Sequence, residues 1–195
     1  ERQAMKIIAG TRAALANDMM IGLARLRYRV FVEMLGWDLP CRDGQELDQF
    51  DRQDTLYVVA RRGDELVGTA RLLPTHRPYL LRELFPQLMP GTVLPDDPAV
   101  WELSRFTAVD AGQAPARGAH RQFSSPGAVQ LLHAVLKLAA RHRVQRLITV
   151  SPPGVERLLR RAGFLARRAG PPQVIGGQPV LACWIEVPQM RASGP

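Results

Sequence analysis

One apolar stretch of the chain, VWELSRF at residues 100–106, holds a carboxylate, Glu102, and a guanidinium, Arg105. The aromatic and apolar residues around them predict a strand inside a sheet, where a charge is costly unless it is paired or used. Because side chains alternate along a strand, Glu102 and Arg105 can serve one site only if a bulge or twist separates them. A buried carboxylate has its pKa raised toward the range of a general base, unless a nearby arginine lowers it. An edge strand with hydrated charges would explain the same residues without a site.

Three further stretches mix acids, arginines and aromatic residues at comparable density. They are LRYRVF (26–31) with LGW (35–37), ELDQFD (46–51), and ARLLPT (70–75) with Arg77 and Pro78. In this order and spacing, and followed by the strand at 100–106, they resemble the acyl-homoserine lactone synthases, the LuxI-type autoinducer synthases of quorum sensing. The resemblance is strong over residues 26–106 and continues more weakly to about residue 187.

The resemblance implies a reaction between S-adenosylmethionine and an acyl thioester, usually carried on acyl carrier protein. The amine attacks the thioester carbonyl, the methionyl carboxylate then attacks its own γ-carbon to close the lactone, and methylthioadenosine leaves. No metal or other cofactor is implied, because S-adenosylmethionine is a substrate. Some relatives use acyl-CoA, so the donor stays open. A LuxR-type receptor would be a partner in the pathway without direct contact.

The same resemblance implies roles for the polar residues of the four stretches. The expected catalytic residues are Glu102, as general base through a water, with Asp48, Arg71 and Arg105. The residues expected to bind S-adenosylmethionine are Arg27, Phe31, Trp37, Asp48, Asp51 and Arg105. One arginine should hold the methionyl carboxylate in its planar fork while the others brace the acids.

Each of these side chains also has a plainer explanation. Phe31 and Trp37 could offer aromatic faces to the sulfonium or the adenine, worth about 0.5–2 kcal/mol for a cation, or they could be ordinary core. Asp48 and Asp51 could hold the ammonium or orient arginines, or they could be solvated loop acids. Only the match to the Glu-x-Asp-x-x-Asp pattern of the family favours a function for this pair.

The acyl chain should be held by the second half of the chain. Thr149 matches a position at which the family carries a residue that affects preference for 3-oxo or unsubstituted chains. The other side chains expected at this pocket are Ser104, Phe123 and Trp184, with Leu132 and Leu136 as further neighbours. Ser104 could donate to the thioester carbonyl, and no Gly-x-Ser-x-Gly elbow marks a serine nucleophile. The large apolar residues of this set are equally explained as core.

Helices and strands must position these groups, and their order predicts an α/β fold with a mixed sheet flanked by helices. The expected strands are 5–9, 55–61, 66–73, 100–106, 146–150 and 180–187. The first expected helix is capped by Thr11 and reaches Val30, with Gly22 as a weak point within it. Three further helices are expected at 78–88, 127–142 and 155–162. A functional loop is expected at 36–56 and a polar loop at 110–126. The resemblance implies a V-shaped twisted sheet like that of the GCN5-related N-acetyltransferases, with a bulge on the central strand.

Composition is that of one ordinary domain, here residues 1–195, with 46% apolar residues. We expect a cytoplasmic bacterial protein, since no apolar run of membrane-spanning length and no signal-peptide pattern is present and the two cysteines are far apart. The net charge of +8 predicts an anionic partner: a nucleic acid, an anionic lipid surface or an acidic protein. The arginine cluster expected to meet the carrier protein is Arg157, Arg160 and Arg161, which a solvated helix face also explains.

Two other classes of protein compete with this interpretation. An N-acetyltransferase using acetyl-CoA would carry an Arg/Gln-x-x-Gly-x-Gly/Ala loop, whereas the chain reads QFSSPG at 122–127, where Pro126 removes a donor. A basic nucleic-acid-binding module explains the charge but not an acidic loop followed by VWELSRF. We therefore expect neither DNA nor a membrane as a partner.

Overall fold

The computed structural model describes residues 4–109 and 125–189. Within these ranges the strands are β1 Lys6–Thr11, β2 Cys41–Arg42, β3 Gln45–Glu46, β4 Leu56–Arg62, β5 Glu65–Pro74, β6 Val100–Ala108, β7 Arg146–Ser151, β8 Ala166–Arg168, β9 Gln173–Ile175 and β10 Gln178–Glu186. The α-helices are α1 Asn17–Arg27, α2 Leu80–Leu84, α3 Pro126–Arg141 and α4 Val155–Arg161. A π-helix, Tyr28–Met34, continues α1, and a 3₁₀ turn, Pro86–Leu88, follows α2. Of the helices described, none combines the length and apolarity that crossing a bilayer requires.

The large sheet runs in the order β1-β4-β5-β6-β7-β10-β8, with β9 paired to β10. Its one parallel ladder among the described residues, β6 with β7, extends only from Val100 and Arg146 to Glu102 and Ile148. Beyond these residues β6 continues to Ala108 and β7 to Ser151 without pairing to each other, so the sheet opens into a V. The predicted mixed, V-shaped sheet flanked by helices is thus confirmed.

The predicted bulge lies in β6, beside the mouth of the V. Arg71 pairs with Ser104, but Thr69 pairs with Thr107, so β6 has one residue more than β5 over this interval. The extra residue is next to Arg105, whose φ of 50° is left-handed and therefore strained for a side chain with a Cβ. The bulge resets the alternation, and Ser104 and Arg105 consequently reach the same face of the sheet.

Two hydrophobic layers hold this sheet. Helix α3 covers one face, where Leu131 and Val135 are fully buried against Leu72 and Leu103. The N-cap residue Ser125 accepts a hydrogen bond from the Ala128 N–H and so fixes the start of the helix. The opposite face carries α1 and its π-helix near β4 and β5, and α2 near β6, β7 and β10. The polar side chains discussed below lie on this second face.

Several predicted boundaries were wrong. Thr11 does not cap α1, because its Oγ1 accepts the Ala14 N–H in a turn and the helix begins at Asn17. Gly22 does not break α1 either; a Cβ there would come within 2.8 Å of the Leu66 side chain, so the helix packs closely against the sheet. The helix predicted at 78–88 is divided, since Pro86 cannot continue α2. The polar loop predicted at 110–126 lies almost wholly outside the described residues.

Candidate active site

Three arginines and three acids form one buried network on the α1 side of the sheet. The arginines are Arg27, Arg71 and Arg105, and the acids are Glu46, Asp48 and Asp51. Each arginine contacts two of the acids, and each acid contacts two of the arginines. Formal charge is therefore balanced within the network, which makes its burial tolerable.

Arg27, the last residue of α1, is completely buried, and each of its three side-chain nitrogens donates to an acid. Its Nε donates to Glu46 at 2.5 Å, and its Nη1 and Nη2 donate to the two oxygens of Asp51 at 2.8 and 3.0 Å. Burial alone would raise the pKa of Asp51, but Arg27 and Arg71 outweigh it and hold that pKa well below its ordinary value. The pKa of Glu46 is lowered in the same way by Arg27 and Arg105. Arg27 thus braces two acids from the end of α1.

The other two arginines share Asp48. Arg71 donates through Nη1 and Nη2 to Asp48 at 2.6 and 3.1 Å, and its Nε donates to the Ser104 hydroxyl at 3.0 Å. Arg105 donates through Nε and Nη2 to Glu46 and through Nη2 to Asp48 at 3.1 Å. Within residues 4–109 and 125–189, Nη1 of Arg105 donates to no side chain or carbonyl.

The loop after the π-helix folds so that its acids point inward. The short β2–β3 hairpin delivers Glu46, and Asp51 then accepts the backbone N–H of Asp48 at 2.8 Å. Asp48 in turn accepts the N–H of Phe50 at 2.8 Å. Side-chain bonds of this kind to nearby N–H groups are what Asp favours in turns, so the Asp-x-x-Asp spacing is a local folding signal as well as a functional one.

Tyr57 and Glu46 belong to the network although neither was proposed as a site residue. The Tyr57 hydroxyl donates to Asp51 at 2.6 Å and is fully buried. Burial and Asp51 together raise the pKa of Tyr57. Glu46 stood inside the ELDQFD motif and could have been found there. Tyr57 lies on an ordinary apolar strand, β4, and no spacing in the sequence marks it.

Replacing Tyr57 by phenylalanine should therefore lower the free energy of unfolding by about 1.5–3 kcal/mol, the cost of a lost hydrogen bond to a charged group. Tyr79→Phe is the matched control, because the Tyr79 hydroxyl is also in a buried residue but donates to a neutral acceptor, the Pro95 carbonyl, at 2.7 Å. Its loss should cost only about 0.5–1.5 kcal/mol. Urea denaturation measures both, and an equal loss in the two variants would contradict a charged network at Asp51.

Glu102 lies on the same face but has a different environment. It is completely buried, and its two oxygens accept the N–H groups of Leu80 and Leu81 at 2.9 and 2.7 Å, at the start of α2. Burial raises the pKa of Glu102 to about 7, against the two N–H donors and the more distant charges of Arg71 and Arg105. The side chain is thus both the anchor of a helix and a carboxylate that titrates near neutral pH.

Aromatic rings border the network on two sides. The rings of Phe31 and Trp37 stack with centroids 5.0 Å apart and planes inclined by 15°. The guanidinium carbon of Arg105 lies 5.9 Å from the Phe31 centroid, and that of Arg71 lies 5.7 Å from the Phe50 centroid. Phe31 is buried, whereas Trp37 is half-buried. Of the two predicted aromatic faces, Trp37 is the more accessible to a ligand.

The residues proposed for the acyl pocket are not all on one side of the sheet. Thr149 follows Leu147 by two residues on β7, so both side chains point toward α3, the side on which Leu132 and Leu136 also pack. Trp184 instead packs with Ile148 on the α2 side. Thr149 and Trp184 therefore face opposite sides of the sheet, and both can contact one acyl chain only across the V. Ser104 is at the V and bonded to Arg71, and Phe123 lies outside the described residues.

The proposed carrier-protein surface is exposed. Arg157, Arg160 and Arg161 all lie on the solvent side of α4, and Arg160 Nε donates to the Glu156 carbonyl of the same helix. In the part of the chain that the structure describes, no group of three or more His, Cys, Asp or Glu side chains has an arrangement suited to a metal ion.

The sheet opens beside a bulged central strand, with a buried carboxylate and charged residues near the opening, and this arrangement is the fold of the N-acetyltransferases. A Lactobacillus plantarum protein described as an N-acetyltransferase shares that fold, with a TM-score of 0.64 at 19% identity over 95% of this chain and 100% of its own. The sequence model of the family described as Autoinducer synthase matches residues 12–193, and the chain belongs to that family.

Relatives within the family are close. An acyl-homoserine-lactone synthase of Acinetobacter nosocomialis is 50% identical over 94% of this chain and 100% of its own length. TofI, whose crystal structure is a ternary complex with an inhibitor and MTA, is 41% identical in sequence to this chain. The two structures match with a TM-score of 0.79 over 93% of this chain and 91% of TofI. BjaI, a CoA-dependent acyl-homoserine lactone synthase solved with SAM and isopentyl-CoA, is 28% identical to this chain. Its TM-score is 0.81, and the match covers 95% of this chain and 84% of BjaI.

Proposed function

We propose that the protein is an acyl-homoserine-lactone synthase that transfers an acyl group to the amine of S-adenosylmethionine and then releases methylthioadenosine on lactone closure. The observation that carries the proposal is the buried network of three arginines and three acids beside the V. Such a network is expensive to bury, and its position beside the opening of the sheet supports a site for a charged substrate. The names of the relatives, and the S-adenosylmethionine or methylthioadenosine bound in two of them, support the same reaction.

Arg105 is the arginine that we assign to the methionyl carboxylate. Arg27 donates from all three of its nitrogens to acids, and Arg71 donates to Asp48 and Ser104, but Nη1 of Arg105 has no acceptor among the described residues. Asp48 and Asp51 hold the arginines in place, and Asp48 is close enough to Arg105 to receive the ammonium of the same substrate. Trp37 and Phe31 would then face the sulfonium or the adenine.

Glu102 is our choice for the base that takes the proton of the attacking amine, through a water. Its pKa of about 7 matches the pH at which such transfers are most efficient. Two lone-pair positions of the carboxylate are used by Leu80 and Leu81, and the others stay available. Neither a metal nor a further cofactor is part of this proposal, because the charges that develop can be met by side chains of the network.

For the acyl donor we propose acyl carrier protein, with Arg157, Arg160 and Arg161 as the surface that meets its acidic face. The donor could instead be acyl-CoA, as in BjaI. Thr149 and Trp184 would contact the chain from either side of the V, and Phe123 is proposed with them from the sequence alone. Residues 1–195 as a single domain, a cytoplasmic location and a LuxR-type receptor as pathway partner stay predictions.

Incubating the protein with S-adenosylmethionine and a panel of acyl-carrier proteins should release methylthioadenosine and an acyl-homoserine lactone in equal amounts. A parallel panel of acyl-CoA thioesters separates the two donors, and a variant with Arg157, Arg160 and Arg161 all changed to glutamine serves as the matched test of the docking surface. That variant should lose turnover with carrier protein and keep it with CoA. No methylthioadenosine with short, medium or long chains on either donor would rule out the proposed reaction.

A further inference from the structure

The side chain of Arg146 lies against an aromatic ring instead of an acid. Its guanidinium carbon is 4.2 Å from the centroid of the Trp184 ring. Arg71 and Arg105 also lie near rings, but at 5.7 and 5.9 Å, and both are held by acids of the network. In the part of the chain that the structure describes, the Arg146 guanidinium has neither a hydrogen bond nor an ion pair. The ring is therefore the contact that fixes this guanidinium.

Glu186 is the cross-strand neighbour of Arg146, yet its carboxylate lies nearer to another arginine. Glu186 of β10 pairs with Arg146 of β7, so the two side chains share a face of the sheet. The Glu186 Oε1 instead approaches Arg167 Nε, at 3.9 Å. Arg146 is half-buried, whereas the Arg167 side chain is 61% exposed. A cation partly withdrawn from water gains more from an aromatic face than an exposed one does, so Arg146 is the arginine that can hold the ring.

Trp184 lies in line with the proposed base. At the end of the β6–β7 ladder Glu102 pairs with Ile148, and Ile148 pairs in turn with Trp184 of β10. Paired side chains lie on one face and neighbouring strands are about 4.8 Å apart, so the Cα atoms of Glu102 and Trp184 are about 10 Å apart. Trp184 also belongs to the apolar cluster that α2 covers. An acyl chain that extends along this row from a thioester at Glu102 would meet the ring.

We infer that Arg146 is a positioning residue that holds the Trp184 ring as the end wall of the acyl pocket, so that the pair determines which chain lengths fit. The inference rests on the proposed function and deepens it, because it names residues that set acyl specificity. Arg146 acts through the ring rather than on the substrate. A ring held on one face by a cation keeps one rotamer, and a wall that does not move can discriminate between chains that differ by a few methylenes.

A mixture of acyl donors that differ by two carbons, offered together with S-adenosylmethionine, measures this discrimination as the ratio of the lactones formed. In Arg146→Gln the ratio of the chain that the parent prefers to the next longer chain should fall by about 3–30-fold, the range of a cation–π contact. Arg146→Lys keeps a cation near the ring and should stay near the parent ratio. All products form in one mixture, so a variant that is only less stable loses total turnover without a change in the ratio.

Arg167→Gln is the matched control. Arg167 of β8 is the other cross-strand neighbour of Trp184, but its side chain is exposed and its contact is with Glu186, so the ratio should not change. The NMR signal of the Trp184 indole N–H, assigned with Trp184→Phe, gives a readout that does not depend on catalysis. It should move in Arg146→Gln and stay in place in Arg167→Gln.

Three results would overturn the role of Arg146 while the proposed reaction stands. They are a parent-like product ratio in Arg146→Gln, an equal shift in Arg167→Gln, and an Arg146→Lys variant as altered as the glutamine one. A parent that forms no methylthioadenosine with any donor would overturn the proposed function, and the acyl specificity with it. A Trp184 signal that is the same in the parent and in Arg146→Gln would overturn the positioning contact itself.

Discussion

Replacing Arg27 by methionine is expected to lower the free energy of unfolding by about 3–5 kcal/mol, the usual cost of removing one partner from a buried ion pair. Methionine keeps the unbranched stem but leaves Glu46 and Asp51 without their shared cation in a region closed to water. Proteins of this kind are stable by only about 5–15 kcal/mol in total. The loss should be large enough to read directly from a shift in urea or thermal denaturation.

Arg29→Met provides the matched control, because Arg29 follows in the same helical segment and also faces an acid. Its Nη2 lies 3.9 Å from Glu65 Oε1, and the two side chains are 46% and 63% exposed. Such exposed pairs contribute about 0–1 kcal/mol. If Arg27→Met were no more damaging than Arg29→Met, the network would not be holding the fold together.

The origin of the Arg27 effect can be tested separately. Most of the cost should come from the two acids left unpaired, rather than from the contacts of the arginine itself. Adding Glu46→Gln and Asp51→Asn to the Arg27→Met variant should therefore return part of the lost stability, and the non-additivity measures the coupling within the network. If the triple variant lost as much unfolding free energy as the three single variants added together, these groups would act independently.

Much of this site was predictable because the sequence motifs contain its acids and arginines, and charges buried in a fold have to be paired. The stretches at 46–51 and 100–106 identified Asp48, Asp51, Glu102 and Arg105, and the parity of a strand identified the need for a bulge beside Arg105. The pairing inside the network was not predictable. Nothing in the spacing says that Arg27 braces Glu46 and Asp51 while Arg71 is bonded to Ser104, because those choices depend on how α1 crosses the sheet.

Other features were missed for identifiable physical reasons. The faces of Thr149 and Trp184 depend on the registers of β7 and β10, and a shift of one residue in either strand reverses them. The π-helix at Tyr28–Met34 buries Val30 and Phe31 at the same spacing as an α-helix would, so periodicity could not reveal it. Strands β8 and β9 have three residues each and lie among glycine, proline and arginine, where no alternation is long enough to read.

Glu102→Gln should lower turnover by about 10²–10⁴-fold, the usual contribution of a general base. It should also abolish the rise of turnover with pH. In the parent, turnover should rise as the pH passes through about 7, because burial raises the pKa of Glu102 to that value and only the carboxylate can accept the proton of the amine. Glutamine does not titrate, so the residual rate of the variant should be flat over this range. Glu156→Gln is the control, since Glu156 is a buried acid paired with Arg168 outside the site.

The free energy of unfolding should fall as the pH rises, whereas turnover should increase. This difference separates the role of Glu102 as a base from its role as the anchor of α2. A raised folded-state pKa means that the folded protein binds the proton more tightly than the unfolded chain. The stabilisation is complete below 4.5, the ordinary pKa of the group, and is lost as the pH rises to about 7. The acids whose pKa values are lowered, Asp51 and Glu46, instead lose their stabilising effect as the pH falls.

Comparing the unfolding free energies of the parent and the Glu102→Gln variant from pH 4 to 8 isolates the contribution of Glu102, because Asp51 and Glu46 are common to both. The difference should change between about pH 4.5 and 7 and level off above that range. A variant that keeps full turnover and the rising pH limb, yet shows this altered stability profile, would leave Glu102 only as the anchor of α2 through Leu80 and Leu81. The proton of the amine would then have to pass to another group of the network.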